Sequence, residues 1–368
     1  MIHFVVPAGR DAMIREYLAV WGRNLADSIR VLHYETLARQ SSFDPGSYVF
    51  SSLDELTPAM ERLAGELSGE LAPREGFRML NHPARTLRRF DLLTELRRRR
   101  LNAFGAVRAV GDLSRLSYPV FLREERSHDG AVSPLLHSRN EVEARIGLAL
   151  VQGYRLRELL VVEFCDTADG NGFYRKYAAF VVGKRVVARS LSYGRQWMLK
   201  HHGTEFSREM VREERDYVSR NPHEAQLAEI FDVAGVEYGR IDYSLKDGRV
   251  QTWEINLNPT IGRGTRPSRG SSPPEVEPIR TETKKRFYSN FQEAWESVDL
   301  PADGRTAVEA ALDPETLRAA RSQDVPRGRR LNALRAVLRP ARSVLEPVAT
   351  LFFPFLGKLA RRAGARQR

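Results

Sequence analysis

YGRIDYSLKDGRVQTWEINLNP, residues Tyr238 to Pro259, sets two acids and two amides on what reads as a pair of neighbouring strands. Val236, Tyr238, Ile241, Tyr243 and Leu245 precede Asp247-Gly248, and Val250, Thr252, Trp253 and Ile255 follow it. Most of these are β-branched or aromatic, as strands favour, and Asp-Gly is a hairpin signal. Alternation along the second strand puts Glu254, Asn256 and Asn258 on one face and Trp253, Ile255 and Leu257 on the other. On the first strand Asp242 shares a face with Arg240 and Ser244. Mg²⁺ takes oxygen ligands from one or two carboxylates, with waters and nucleotide phosphates completing its octahedron, so Asp242, Glu254 and Asn256 are candidate metal ligands. Register decides whether they meet. A two-residue loop pairs Asp242 with Trp253 and turns Glu254 to the opposite face. Convergence requires a bulge or an odd-length loop, expected near Asp247 to Arg249. An edge hairpin whose polar residues face water is the alternative.

IDYSL…WEINLNP resembles the metal-binding strands of the ATP-grasp superfamily, which includes D-alanine–D-alanine ligase, glutathione synthetase and carboxylate-amine ligases. YPVFLRE at 118–124, LLVVEF at 159–164 and RKYAAFVVGKRVVAR at 175–189 precede it in the family's order, so the resemblance runs from about Asn81 to about Trp295. It implies an α/β chain, α+β within the grasp lobes, with a nucleotide cleft between two lobes. The expected division is an N-terminal α/β lobe over 1–80, an ATP-grasp domain over 81–300, and a linker with a basic amphipathic tail over 301–368.

The resemblance also implies roles. Arg123 stands where the family commonly has a phosphate-holding Lys; its fork preserves phosphate binding more surely than turnover. The following EERSHDGAVSPLL suits a loop closing over phosphates, or an ordinary surface loop. Glu163 falls at the adenine hinge, unless it merely ends a buried strand in solvent. Arg189 and either Arg175 or Lys176 would line a phosphate channel, the alternative being solvated hairpin cations. Arg123, Arg189 and Arg240 are the expected catalytic cations. Asn258, Arg263 and Arg266 would border an acceptor carboxylate, in a segment equally readable as an exit loop. His201 and His202, in a stretch similar to a WxxxH segment of uncharacterised ATP-grasp proteins, would touch substrate. Adjacent histidines without a nearby cysteine do not suit zinc. The implied cofactors are ATP and two Mg²⁺ ions, with Mn²⁺ able to substitute. The implied partners are a small-molecule or peptide carboxylate and an amine acceptor. An ADP-forming ligase is the expected enzyme; a kinase-like phosphotransferase and an inactive nucleotide-binding or scaffolding protein are the alternatives.

Composition bounds these readings. The 368 residues are long enough for two or three domains, and 42% hydrophobic with 29% charged residues is ordinary for a globular chain. The single cysteine, Cys165, excludes an internal disulfide and fits a reducing cytoplasm. Ile2 to Val6 reads as a first strand, not a secretory signal. Of the net charge of +11, residues 321–368 hold +10, with 12 Arg plus Lys against Asp324 and Glu346. The body is near neutral, which argues against a nucleic-acid surface there.

Along the chain, a helix through Met13 to Trp21 and a strand over Val31 to Tyr34 complete a β-α-β opening. Asn81-His82-Pro83 reads as a turn, Glu141 to Val151 and Pro222 to Ala234 as helices, and Thr283 to Val298 as a closing helix with Phe287, Phe291 and Trp295 on its packed face. Leu351 to Leu359 is too short, and too interrupted by Pro354 and Lys358, to span a bilayer. The tail from Arg327 suits a membrane surface, a protein surface or, less well, nucleic acid.

Overall fold

The computed structural model describes residues 1–128, 130–199, 205–262, 273–301, 304–322 and 353–361; the expectations for His201, His202, Arg263 and Arg266 lie outside the described residues. The chain divides into two compact units, Met1–Leu87 with Thr167–Gln323, and Arg88–Asp166 with Asp324–Arg368.

Five strands open the first unit: β1 (Ile2–Val6), β2 (Ile29–His33), β3 (Ser42–Phe43), β4 (Gly46–Phe50) and β5 (Phe77–Leu80). Four of them form a parallel sheet in the order β2-β1-β4-β5. Every residue of β1 and β4 is buried, as a sheet covered on both faces requires. The second strand begins two residues before the expected Val31, and Tyr34 instead starts a short helix, its hydroxyl donating to the Ser51 carbonyl at 2.9 Å. His3 is carried into this core, its ring 4.4 Å from that of Tyr48, and burial lowers its pKa.

The second unit holds β6 (Ala106–Arg108), β7 (Val120–Glu124) and β8 (Leu159–Glu163), an antiparallel sheet in the order β6-β8-β7. Val120, Leu122, Leu159 and Val161 pack on Val142 and Ile146 of the Arg139–Val151 helix. That helix starts at a reciprocal cap: Ser138 Oγ accepts from the Glu141 N–H and the Glu141 carboxylate accepts from the His137 N–H. Even its Glu143 and Arg145 are buried. A helix over 353–361 crosses it, with Gly357 against the Glu143 backbone and Phe353 against Gly147 so closely that neither glycine has room for a Cβ.

The first unit resumes with β9 (Tyr174–Val182), β10 (Arg185–Gly194), β11 (Tyr238–Lys246) and β12 (Arg249–Asn256), an antiparallel sheet ordered β10-β9-β11-β12, while β13 (Val308–Glu309) pairs with β3. The closing helix spans Glu277–Glu296 and buries Phe287, Phe291 and Trp295. It begins six residues before the expected Thr283 because Pro278 sits in its first turn, where a missing N–H costs nothing. Phe291 lies 4.8 Å from Phe180 of β9, and Trp295 lies 5.2 Å from Tyr238 and 6.2 Å from Phe4. Asn81, expected as a turn residue, adopts φ +62° and uses its whole amide. It donates to the Phe50 and Tyr238 carbonyls at 3.1 and 2.7 Å and accepts from the Glu237 and Tyr238 N–H groups at 2.8 and 2.9 Å.

Candidate active site

Asp247 and Gly248 both take positive φ, +51° and +73°, and Lys246 pairs with Arg249 across them, so the β11–β12 turn is a regular two-residue one. The extra residue is not there. Pairing stays regular through Tyr243↔Thr252 and then shifts, so that Asp242 faces Glu254 and Arg240 faces Asn256. Trp253 is the bulge residue. A bulge opposes two residues to one and moves everything beyond it to the other face. Arg240, Asp242, Gln251, Glu254 and Asn256 therefore share a face. The bulge required by the sequence exists, but displaced from the expected Asp247–Arg249 region because Asp-Gly satisfies the tight turn unaided.

β9 adds to this face. Asp242 pairs with Ala178 and Arg240 with Phe180, and alternation brings Lys176 alongside. The carboxylate of buried Asp242 accepts from Arg240 Nε at 2.9 Å and Nη2 at 3.4 Å, with Lys176 Nζ at 3.5 Å. Asn256 Oδ1 accepts from the Asn258 N–H at 2.8 Å, and Asn258 Nδ2 donates to the Arg10 carbonyl at 3.0 Å. Arg240 Nη1 reaches the Thr260 carbonyl at 3.4 Å and Arg189 Nε the Ile261 carbonyl at 3.3 Å, so two guanidinium groups hold the chain leaving β12.

Among the described residues no three His, Cys, Asp or Glu side chains gather as a metal cluster. The donors on this face are two opposed carboxylates and one amide oxygen. All are hard oxygen ligands, in the number that Mg²⁺ uses when phosphates and water supply the rest. The set fits that ion and does not fit zinc.

The chain is similar to ATP-grasp ligases of known structure. A D-alanine–D-alanine ligase from Bacillus anthracis complexed with ATP matches at 11% identity and TM-score 0.46, over 88% of this chain and 99% of that one. A RimK domain ATP-grasp protein from Sphaerobacter thermophilus matches at 12% identity and TM-score 0.44, over 78% and 98%. The ATP-grasp ligase PsnB, complexed with a phosphomimetic variant of its minimal precursor, Mg and ADP, matches at 13% identity and TM-score 0.44, over 77% and 97%. No family model and no curated protein sequence matches the chain.

The other candidate residues have surroundings of their own. Arg175, one position from Lys176, points away from Asp242 by strand parity. Its guanidinium bonds Asp169 at 2.5 Å and Glu213 at 3.0 Å, and these hydrogen bonds raise its pKa against the effect of desolvation. Of the two basic positions left open by the sequence, Lys176 is the one facing the acids. Arg189 is the residue skipped by a second register shift, between Ala188 and Ser190, and lies 4.3 Å from the Phe287 ring centroid. Desolvation lowers its pKa. Glu163 accepts from the Gly105 N–H at 2.8 Å and the Ser117 N–H at 2.7 Å, so both carboxylate oxygens tie backbone within the second unit. Arg123 is buried on β7, opposite Leu160.

Two residues were missed by sequence reasoning. Buried Arg89 donates through one nitrogen to the carbonyls of Glu124, Glu125 and Ser127, at 2.8, 2.7 and 2.8 Å, fixing the segment that follows Arg123. Nothing in RTLRRFD separates Arg89 from Arg85 or Arg88. Glu214 accepts from the Leu191 N–H at 3.3 Å, and desolvation raises its pKa against the opposing charges of Arg280, Arg189 and Lys284. Its helical setting, REERD, looks like a solvated face.

Proposed function

We propose that the chain is an ATP- and Mg²⁺-dependent ligase that joins a carboxylate to an amine through an acyl phosphate, releasing ADP and phosphate. The observation carrying this reading is the bulge at Trp253, which sets Asp242 opposite Glu254 with Lys176 and Arg240 on the same face. Asp242, Glu254 and Asn256 would hold the metal, which when bound supplies positive charge to the nucleotide phosphates. Lys176 and Arg240 neutralise Asp242 before nucleotide arrives and offer their charge to phosphate oxygens afterwards. Arg189 and Arg240 position the strand exit through the Thr260 and Ile261 carbonyls.

In the reaction a substrate carboxylate oxygen attacks the γ-phosphorus and the bond to ADP breaks. An amine nitrogen then attacks the acyl carbon, phosphate leaves, and the nitrogen releases its proton to solvent. These residues contribute orientation and electrostatics, so no general base is assigned. Residues 1–80 would present the acceptor, 81–300 the nucleotide machinery and 301–368 a tail outside catalysis.

A nucleotide-binding protein without turnover is the second reading, favoured by Arg123 at the Lys position and by the commitment of Glu163 to backbone. An ADP-release screen over carboxylates with amines or peptides, with Glu254→Ala as control, separates the two. Ligation with ADP formation that the variant abolishes supports the ligase. Phosphorylated acceptor without ligation identifies a phosphotransferase. ATP binding without ADP across the panel favours the inactive reading, and an unchanged rate in Glu254→Ala discards the metal assignment.

A further inference from the structure

The helix over 353–361 has two opposite faces with different uses. Gly357 and Phe353 approach the Arg139–Val151 helix at Glu143 and Gly147. Arg361 completes the attachment, with Nε donating to the Ala109 carbonyl at 2.7 Å, Nη2 to the Gly111 carbonyl at 2.6 Å, and Nη1 3.3 Å from Glu143. Lys358 Nζ lies 3.5 Å from the same carboxylate. Taking Gly357 as the centre of the attached face, a turn of about 100° per residue puts Phe353 and Arg361 within about 40° of it and Phe355 and Leu359 about 160° away. The exposures agree: Phe355 is 73% exposed, Leu359 58% and Leu356 43%. Three large apolar side chains thus point outward from a helix whose opposite side is pinned by glycine packing and ion pairs.

The charge around this stripe says what covers it. Residues 321–368 carry 12 Arg plus Lys against two acids. Lys358 flanks the stripe on the helix, 51% exposed, and Arg362, Arg366 and Arg368 follow in sequence. Leu and Phe bordered by an excess of cations are complementary to an anionic bilayer surface, where the apolar groups enter the headgroup boundary and the cations meet lipid phosphates and carboxylates. A second copy would bring an equally basic tail, and three side chains fall far below the ~800 Å² per partner of a stable protein interface. Nucleic acid would use the cations and leave the stripe in water. No helix among the described residues is long and apolar enough to cross a membrane, so the contact is one of surface seating.

We propose that the 353–361 helix is a peripheral anchor by which this chain docks on an anionic lipid surface through Phe355, Leu356 and Leu359. The anchor is independent of the ligase reading.

Co-sedimentation of the full-length protein with vesicles tests it, using phosphatidylcholine alone and phosphatidylcholine with about one-third phosphatidylserine. The wild-type chain pellets with the anionic vesicles, stays in the supernatant with the neutral ones, and is released by high salt. Phe355→Ser combined with Leu359→Ser lowers the partition coefficient at least about tenfold, because the two most exposed of the three contact groups are removed while the cations stay. Its thermal unfolding stays at the wild-type temperature, since neither side chain belongs to the attached face. A wild-type chain that never pellets overturns the proposal, whether its stripe is covered by its own residues 323–352 or by a second copy, the latter seen as a dimer in light scattering that the double variant converts to monomer. A double variant that pellets like wild type also overturns it, leaving the basic tail alone as the binding element.

Discussion

Asp242→Asn removes one negative charge from between two cations while keeping the volume of the side chain. The carboxylate lies 2.9 Å from Arg240 Nε and 3.5 Å from Lys176 Nζ. At an effective dielectric of ~20 each contact is worth ~5 kcal/mol gross, most of it cancelled by desolvation. Removing one partner of a buried pair costs about 3–5 kcal/mol. Here the Asp242 side chain is 12% exposed, but Arg240 and Lys176 are 23% and 36% exposed, so water re-solvates part of the freed charge. Discounting for that leaves about 2 kcal/mol. In a unit of this size the loss lowers Tm by about 4–8 °C. Urea unfolding followed by far-UV circular dichroism measures the free-energy loss, and a thermal scan by the same signal measures the shift in Tm. On the ligase reading a second measurement separates structure from function. Mg²⁺ with ATP at a hundredfold excess over Kd stabilises the wild-type chain by about 2.7 kcal/mol, and the variant forfeits that increment. A variant as stable as wild type refutes the electrostatic reasoning. One that still gains the full increment from Mg²⁺ and ATP refutes the ligand assignment.

Lys176→Ala weakens ATP binding at least about tenfold in calorimetry, whereas Arg175→Ala leaves it unchanged; the reverse order would return the phosphate role to Arg175. Arg89→Ala leaves three carbonyls without their shared donor, costs about 2–3 kcal/mol, and accelerates hydrogen exchange over 124–127; unchanged exchange there refutes the anchoring role. His3 is depressed by burial, so its neutral ring contributes stability above the ordinary histidine value of about 6.5 that is lost as pH falls through its lowered folded value. His3→Gln therefore flattens the fall in Tm on acidification below about pH 6.5, and a wild-type slope in the variant refutes the assignment. Gly357→Val forces a side chain against the Glu143 backbone, detaches the 353–361 helix, and makes it an early cleavage site in limited proteolysis; wild-type protection would show that the crossing tolerates a Cβ.

What the sequence made legible follows from what is local. The β11–β12 hairpin was written in β-branched residues around Asp-Gly, the buried β8 in the apolar run Leu159 to Val162, and β1 in an apolar run broken only by His3. The need for a bulge was also legible, since parity arithmetic with a two-residue turn leaves Asp242 and Glu254 on opposite faces. Its position was not, because a bulge is chosen by cross-strand packing, and nothing in VQTWEI marks Trp253 as the residue at which the register shifts. Lys176 and Arg175 are interchangeable until β9 is placed in register with β11. Glu163 looked like a ligand-reading acid because a strand end is open in sequence, and only the approach of Gly105 and Ser117 shows its oxygens occupied. Arg89 and Glu214 were invisible for the same reason: their partners are backbone groups distant in sequence.

The arrangement around Asp242 also explains how a face bearing two opposed carboxylates persists before any cation arrives. Directly opposed like charges on neighbouring strands are destabilising. The chain counters this with Arg240, two residues away on the same strand, and with Lys176 from the strand on the other side. A third acid at position 256 would exceed what these cations balance, and the residue there is Asn, which keeps an oxygen donor without adding charge. On the ligase reading, a triphosphate would compete with Asp242 for Lys176 and Arg240, and the carboxylate would then be available to hold a metal ion. Nucleotide and metal affinities are then coupled through the same two side chains. Lys176→Ala should lower the affinity for Mg²⁺ with ATP together more than for ATP in chelator, as read by calorimetry under the two conditions. Equal losses would mean that Lys176 meets phosphate without having restrained Asp242, and the exchange of partners would be refuted.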